Sequence, residues 1–137
     1  MCIRDRVNLP GILLKPNMII SGTKCKEQAS VEKVAKLTIQ CLTENVPKNV
    51  PGIVFLSGGQ SNEKATLHLN EMNKLFKDLP WKLSYSYGRA LQQPAISSWK
   101  GEENNIKISQ DALFKRSKLN SSATLGVYSP NDENQML

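Results

Sequence analysis

Hydrophobic and polar positions follow a pattern that occurs three times along the chain. Each time, a short apolar run leads into a loop that contains Gly or Ser, and then into a longer stretch with apolar residues at every third or fourth position. A short apolar run is typical of a strand in a parallel sheet, whose two faces are both covered, whereas the longer spacing is typical of one helix face. The pattern therefore predicts three consecutive βα units.

The expected strands cover residues 7–14, 52–56 and 81–87. The expected helices cover residues 30–44, 61–79 and 89–125, the last with an interruption near Gly101. Ser30 and Ser61 stand at the first two helix starts, where a hydroxyl can accept a hydrogen bond from a first-turn amide. The remaining residues, 128–137, are polar and irregular.

A (β/α)₈ barrel uses roughly 30 residues for each βα unit, so three units amount to about three-eighths of a barrel. A doubly wound sheet is the alternative, although three strands would make a very small one. With either architecture, this 137-residue chain looks like part of a larger protein.

The composition argues against a membrane-spanning, secreted, disulfide-rich or zinc-binding protein. No apolar run approaches the ~18 residues of a membrane span, and no secretory signal pattern opens the chain. The three cysteines are too few and too scattered for a disulfide framework or a zinc cluster. These features favour a cytoplasmic protein without membrane insertion.

The formal net charge of +6 raises the question of an anionic partner. The lysines are interleaved with acidic residues, however, and no dense basic block occurs. This arrangement favours a mixed, solvated surface first and a phosphate-bearing small molecule second, and it argues against nucleic acid.

Active groups in a barrel lie where strands end and βα loops begin, so residues at the expected strand ends are candidates for chemistry. Lys15 directly follows an apolar strand, where partial desolvation would favour its neutral, nucleophilic amine. A strand-end lysine that extends into solvent is the simpler interpretation from local sequence alone.

Two further strand ends could bind phosphate. Ser57, Gly58 and Gly59 offer a hydroxyl and unobstructed backbone amides at the start of a helix. Gly88 adds another glycine, and Arg89 can hold phosphate through two hydrogen bonds. A plain strand-to-helix turn and a surface ion pair would explain the same residues, so the phosphate interpretation depends on the two loops converging.

His68 is the single histidine and lies in the middle of an expected helix, away from every strand end. A structural or exposed role is therefore favoured over catalysis. Cys25 and Cys41 have no accompanying His or Cys-x-x-Cys spacing and are interpreted as ordinary thiols.

The sequence contains Leu-Leu-Lys-Pro-Asn-Met at residues 13–18, Phe-Leu-Ser-Gly-Gly-Gln-Ser at 55–61 and Ser-Tyr-Ser-Tyr-Gly-Arg-Ala-Leu at 84–91. These motifs resemble three consecutive signatures of class I fructose-bisphosphate aldolases, in the family's order and spacing. The resemblance runs from about residue 7 to residue 128. It implies an α/β fold, a partial TIM (β/α)₈ barrel that consists of the last three βα units and a C-terminal tail.

The resemblance also implies a mechanism. Lys15 forms a Schiff base with the ketose carbonyl, and the protonated imine accepts electrons as the bond between the third and fourth carbons breaks. No metal or other cofactor is needed, because the iminium does the work of a Lewis acid. The implied site for the phosphate on carbon one consists of Ser57, Gly58, Gly59, Ser86, Gly88 and Arg89.

The implied function is that of a glycolytic lyase, which cleaves fructose 1,6-bisphosphate to dihydroxyacetone phosphate and glyceraldehyde 3-phosphate. The implied partners are the phosphorylated sugar, the other subunits of a homotetramer, and a cytoskeletal or adhesin protein. A non-catalytic truncated product that binds sugar phosphates or a protein partner is the alternative. Another Schiff-base barrel enzyme is disfavoured by the paired Ser-Gly-Gly and Gly-Arg loops.

The chain departs from the family pattern in several places. Pro10 stands where the family usually has Glu, and the chain ends at residue 137 without the family's terminal tyrosine. The family's acid/base carboxylates and the lysines for the second phosphate come from earlier strands. We therefore expect a fragment with negligible cleavage activity: residues 1–6 a non-native lead-in, 7–126 the C-terminal part of the barrel, and 127–137 a truncated tail.

Overall fold

The computed structural model describes residues 6–134 as a three-stranded sheet with four α-helices. The strands are β1 (Leu13–Leu14), β2 (Gly52–Phe55) and β3 (Lys82–Tyr85). The helices are α1 (Val31–Asn45), α2 (Asn62–Leu75), α3 (Arg89–Trp99) and α4 (Ile106–Leu125). The strands are parallel and lie in the order β1-β2-β3, so the three predicted βα units are present.

One face of the sheet carries the core. Ile53, Phe55 and Leu83 are buried on this face, and all four helices contribute side chains to the same hydrophobic cluster. On the opposite face, Leu13 and Lys82 are exposed. The expectation that both faces are covered is therefore wrong for the described residues, because the helices pack on one side only, as they do in an arc of a barrel.

The predicted helix starts are confirmed. Ser30 Oγ accepts a hydrogen bond from the amide of Lys33 at 3.2 Å, and Ser61 Oγ accepts one from the amide of Lys64 at 3.1 Å. Each hydroxyl satisfies an amide that has no partner within its own helix. The start of α2 thereby follows the glycine turn after β2 with no linker between them.

Three predicted boundaries are corrected. The strand expected over residues 7–14 is reduced to β1, because Leu9–Gly11 form a 3₁₀ turn that contains Pro10, which has no amide to donate. Helix α2 ends at Leu75, where Phe76 becomes extended. The strand expected over residues 81–87 is shortened to β3. The interruption expected near Gly101 is confirmed, because Lys100 and Gly101, both with positive φ, separate α3 from α4.

The tail after α4 is partly ordered rather than irregular throughout. Residues Pro130–Asn134 form a 3₁₀ helix, and Glu133 within it pairs with the buried Arg116 of α4. The lead-in expected at residues 1–6 and the tail expected at 127–137 extend beyond the described residues, at 1–5 and 135–137. Among residues 6–134, no helix has both the length and the apolar character needed to cross a membrane.

Candidate functional site

The loops that follow the three strands lie side by side at the carboxyl edge of the sheet. Backbone pairing continues past the strand ends, because the Leu56 amide donates to the Pro16 carbonyl at 3.1 Å and the Ser86 amide donates to the Phe55 carbonyl at 2.8 Å. The structure therefore brings together the three segments that the sequence singled out.

Lys15 extends from the open face of the sheet. Leu14 is in register with Ile53, and Ile53 with Leu83, so Lys15 lies level with Val54 and Ser84 in the neighbouring strands. The two outer strands are roughly 10 Å apart at this level. Lys15 is exposed. The partial burial that the sequence suggested for this side chain is therefore not found among the described residues.

The turn after β2 has a glycine backbone that is open to solvent at one position. Gly58 and Gly59 have φ of 55° and 76°, a region that residues with a β-carbon rarely adopt. The amide of Gln60 donates to the carbonyl of Ser57 at 3.0 Å and closes the turn. A β-carbon at Gly59 would meet no atom within 4 Å, so an anion can approach the backbone at this position.

The loop after β3 reaches across to this turn. Ser86 is half-buried, and Gly88 is exposed at the start of α3, where its carbonyl accepts from the amides of Leu91 and Gln92 at 3.2 and 3.0 Å. The exposed Arg89 donates from Nη1 to Asn62 Oδ1 at 3.4 Å and from Nη2 to the carbonyl of Gln60.

The alternative interpretation of Arg89 was a surface ion pair. Within the part of the chain that the structure describes, Arg89 pairs with no carboxylate. Its guanidinium instead contacts the turn after β2 and the start of α2. The two loops converge, which is the condition on which the phosphate interpretation depended.

Two residues that the sequence did not assign to a site, Gln60 and Met18, lie within the same group of loops. Gln60 is buried, and its Nε2 donates to the sulfur of Met18 at 3.6 Å. Its Oε1 lies 2.5 Å from Nδ1 of His68. The contacts join residues that are 42 and 8 positions apart, so no local pattern could have indicated them.

His68 is buried in α2, in agreement with a structural role. Burial lowers the pKa of its imidazole from 6.5 to about 4, and the charge of Lys64 contributes in the same direction. His68 and Lys64 also line an open cleft of about 480 Å³ between the loop after β1 and the start of α2. Cys25, at the edge of this cleft, is an exposed free thiol.

Comparisons with known proteins agree with the motifs. The profile of the glycolytic family described as fructose-bisphosphate aldolase class-I matches residues 1–137. A probable fructose-bisphosphate aldolase class 1 of Xanthomonas axonopodis pv. citri is 52% identical over 125 residues, which cover 90% of this chain and 37% of that protein. The cytoplasmic isozyme of Cicer arietinum is 50% identical over 127 residues, which cover 93% of this chain and 35% of that protein.

A solved structure shows the same likeness in three dimensions. The fructose-bisphosphate aldolase of Plasmodium falciparum, crystallised with TRAP and a small-molecule inhibitor, matches with a TM-score of 0.82 and 44% identity. The match covers 85% of this chain and 33% of that one. The fold is thus a part of a (β/α)₈ barrel, and the chain spans about a third of the length of the curated relatives that it matches.

Proposed function

This chain belongs to the class I fructose-bisphosphate aldolase family, and on that premise we propose that Lys15 is the lysine that forms an imine with a ketose phosphate. The neutral amine adds to the ketose carbonyl, and loss of water leaves the carbon–nitrogen double bond. Once protonated, this imine accepts the electron pair of the bond between the third and fourth carbons of the sugar. A base must take the proton of the hydroxyl on the fourth carbon as the aldehyde forms and leaves. A proton must then return to the third carbon, and water must hydrolyse the remaining imine to release the ketose phosphate from Lys15.

The phosphate on carbon one is proposed to bind between the second and third loops. The residues assigned to it are Ser57, Gly58, Gly59, Ser86, Gly88 and Arg89. The observation that carries this assignment is the contact of Arg89 with the Gln60 carbonyl, because it holds a guanidinium beside the open glycine turn. A guanidinium and backbone amides are both donors that suit a phosphate.

Imine formation can be tested on the chain itself. We expect borohydride reduction in the presence of dihydroxyacetone phosphate to leave one stable adduct, which peptide mass spectrometry assigns to Lys15. Lys15→Met abolishes this adduct, whereas Lys24→Met, which removes another exposed lysine of the same loop, leaves it unchanged. An adduct that is absent from the wild type, or distributed over many lysines, would overturn the proposal.

Cleavage of fructose 1,6-bisphosphate is proposed for the protein that contains this barrel in full, and negligible turnover is proposed for this chain by itself. The family's proton-transfer carboxylates come from earlier strands, and Lys15 is exposed to solvent in this chain. A coupled assay for glyceraldehyde 3-phosphate tests this. Turnover comparable to that of an intact aldolase would contradict it.

The second candidate function is binding of a sugar phosphate without chemistry. The exposure of Lys15 favours it, because none of the described residues shields this side chain from water. Competition by inorganic phosphate for bound dihydroxyacetone phosphate, without any reduced adduct, would support this candidate over the first.

Partners and location are proposed on the same basis. We propose a cytoplasmic protein, since the relatives from Cicer arietinum and Spinacia oleracea are named cytoplasmic isozymes. A homotetramer is proposed for the complete barrel, and sedimentation of that protein tests it. A protein partner is also proposed, because the Plasmodium falciparum relative was crystallised with TRAP. Cell fractionation and co-purification test the remaining two points.

A further inference from the structure

The side chain and backbone of Gln60 connect the loops after all three strands. Its amide donates to Ser57 within its own loop, and its carbonyl accepts from Arg89 of the third loop. Its side-chain Nε2 donates to Met18 of the first loop at 3.6 Å. Gln60 is buried, and its side-chain bond to Met18 is shielded from water.

A hydrogen bond with His68 of α2 holds the side chain of Gln60 in place. The Oε1 of Gln60 can only accept a hydrogen bond, so at 2.5 Å the Nδ1 of His68 must carry the proton. With its oxygen held there, the amide of Gln60 has its NH₂ group turned toward Met18. His68 itself is fixed by burial in α2, and its Nε2 is buried without a hydrogen-bond partner.

We propose that Gln60 is a positioning residue, anchored by His68, that keeps the lysine-bearing loop, the glycine turn and the Arg89 loop in one fixed arrangement. The proposal rests on the proposed function for its consequence, which is that Lys15 and the phosphate-binding groups meet the same ligand. Gln60 is not proposed to touch the substrate. It acts through the backbone of the turn and through Met18, three residues beyond Lys15.

Amide hydrogen exchange measures the arrangement directly, without any ligand. The amides of Met18 and Gln60 report on the first two loops, because each has its hydrogen-bond acceptor within its own loop. The amide of Leu91, in the first turn of α3, donates to the Gly88 carbonyl and reports on the third loop. Gln60→Met retains the length of the side chain and removes its hydrogen bonds to Met18 and His68, while the backbone bonds at this position remain. We expect exchange at all three amides to accelerate on the order of tenfold, the factor associated with the loss of one buried hydrogen bond.

Asn73→Ala, in the helix α2 that carries His68, is the control. It removes hydrogen bonds from Asn73 to Leu69 and Ala123 at the far end of α2, and it contacts none of the three loops. We expect it to lower the melting temperature without selective acceleration at the three reporter amides. If Gln60→Met accelerates exchange only in its own loop, or no more than Asn73→Ala does, the proposal is wrong.

The anchoring role of His68 is tested by a double-mutant cycle. His68→Phe alone should accelerate exchange at the same amides, and it should add almost nothing in the Gln60→Met background, because both substitutions remove one link. Independent, additive effects would show that His68 does not act through Gln60. A ¹⁵N NMR spectrum with the proton of His68 on Nε2 would also contradict the anchor.

The imine-trapping reaction separates this proposal from the proposed function. Wild type that forms the Lys15 adduct, with a rate in Gln60→Met that is lower by about the same tenfold factor, supports both. If the wild type forms no adduct but shows the expected exchange pattern, the proposed function is wrong and the positioning role of Gln60 still holds. If Gln60→Met accelerates exchange in the loops but does not change the rate of adduct formation, the proposed consequence for imine formation is wrong.

Discussion

The side chain of Asn17 occupies the space beside Gly58 into which any larger residue would have to place its β-carbon. A β-carbon built at Gly58 would lie 3.0 Å from Cγ of Asn17, and Gly58 also has a φ of 55°. Gly58→Ala therefore combines a steric clash with a strained backbone. We expect a loss of about 3 kcal/mol in the free energy of unfolding, measured by urea titration.

Gly59→Ala provides the comparison for that prediction. Gly59 has a similarly positive φ of 76°, but a β-carbon there would meet no atom within 4 Å. Only the backbone strain remains, so we expect a loss of about 1 kcal/mol. Equal losses for the two variants would mean that Asn17 moves aside freely and that the first two loops are not packed against each other as the structure has them.

Acidification should destabilise the chain through His68. Burial, assisted by the charge of Lys64, lowers the pKa of His68 from 6.5 to about 4. The unfolded chain therefore binds the proton first as the pH falls. The stabilisation by neutral His68 is complete above pH 6.5, declines between 6.5 and about 4, and changes no further below that, a total of about 2 to 3 kcal/mol.

The contribution of His68 can be isolated because it is the only histidine in the chain. Urea unfolding of the wild type and of His68→Phe at several pH values between 7.5 and 4 gives the difference in free energy of unfolding, from which the titration of the carboxylates cancels. We expect that difference to change most between pH 6.5 and about 4. A difference that stays constant across this window would contradict a buried, neutral imidazole.

The elements of the fold were largely predictable from local patterns. Ser30 and Ser61 each accept a hydrogen bond from the amide three residues later, so the starts of α1 and α2 can be predicted from sequence. The first strand was predicted too long because the apolar run at residues 7–14 contains Pro10, whose missing amide favours a turn. The open face of the sheet could not be predicted from apolar runs, because Val54 and Leu56 are equally apolar whether or not anything covers them.

The candidate site was predictable only as far as its residue types suggest a ligand. Lys15, the glycine turn and Arg89 bear recognisable chemistry, and parallel strands bring their ends to one edge. Gln60 has no such signature, because its importance lies in contacts with Met18 and His68 that only the folded chain creates. The exposure of Lys15 likewise depends on the tertiary structure, which a short apolar run before it does not reveal.

The ion pair between Arg116 and Glu133 should stabilise the start of α2 and the segment after α4 together. Nη1 of Arg116 lies 2.7 and 2.8 Å from the two carboxylate oxygens, and Nη2 donates to the carbonyl of Asn62 at 3.0 Å. Glu133→Gln leaves the buried guanidinium without its counter-charge. We expect a loss of about 2 kcal/mol in the free energy of unfolding, less than for a fully buried pair because Glu133 is partly exposed.

The exposed pair of Lys107 and Asp111, at 2.6 Å on one face of α4, is the control for that variant. Asp111→Asn should cost no more than about 0.5 kcal/mol, because both side chains are solvated. A similar loss in the two variants would mean that burial adds nothing to the Arg116 pair, and that the segment after α4 is not held by it.

Arg89→Lys tests whether the shape of the guanidinium, rather than its charge, holds the second and third loops together. Arg89 donates from two different nitrogens to Asn62 and to Gln60, and a single ammonium group cannot reproduce this planar fork. We expect the affinity for dihydroxyacetone phosphate, measured by the concentration dependence of imine trapping, to fall about tenfold, the factor for one lost charge-assisted hydrogen bond.

Lys74→Ala removes a positive charge at the far end of α2 and should leave that affinity unchanged. If the lysine variant binds as the wild type does, the phosphate recognises charge alone and Arg89 has no geometric role. If both variants weaken binding equally, the effect is a long-range loss of positive charge, and the assignment of Arg89 to the phosphate site is wrong.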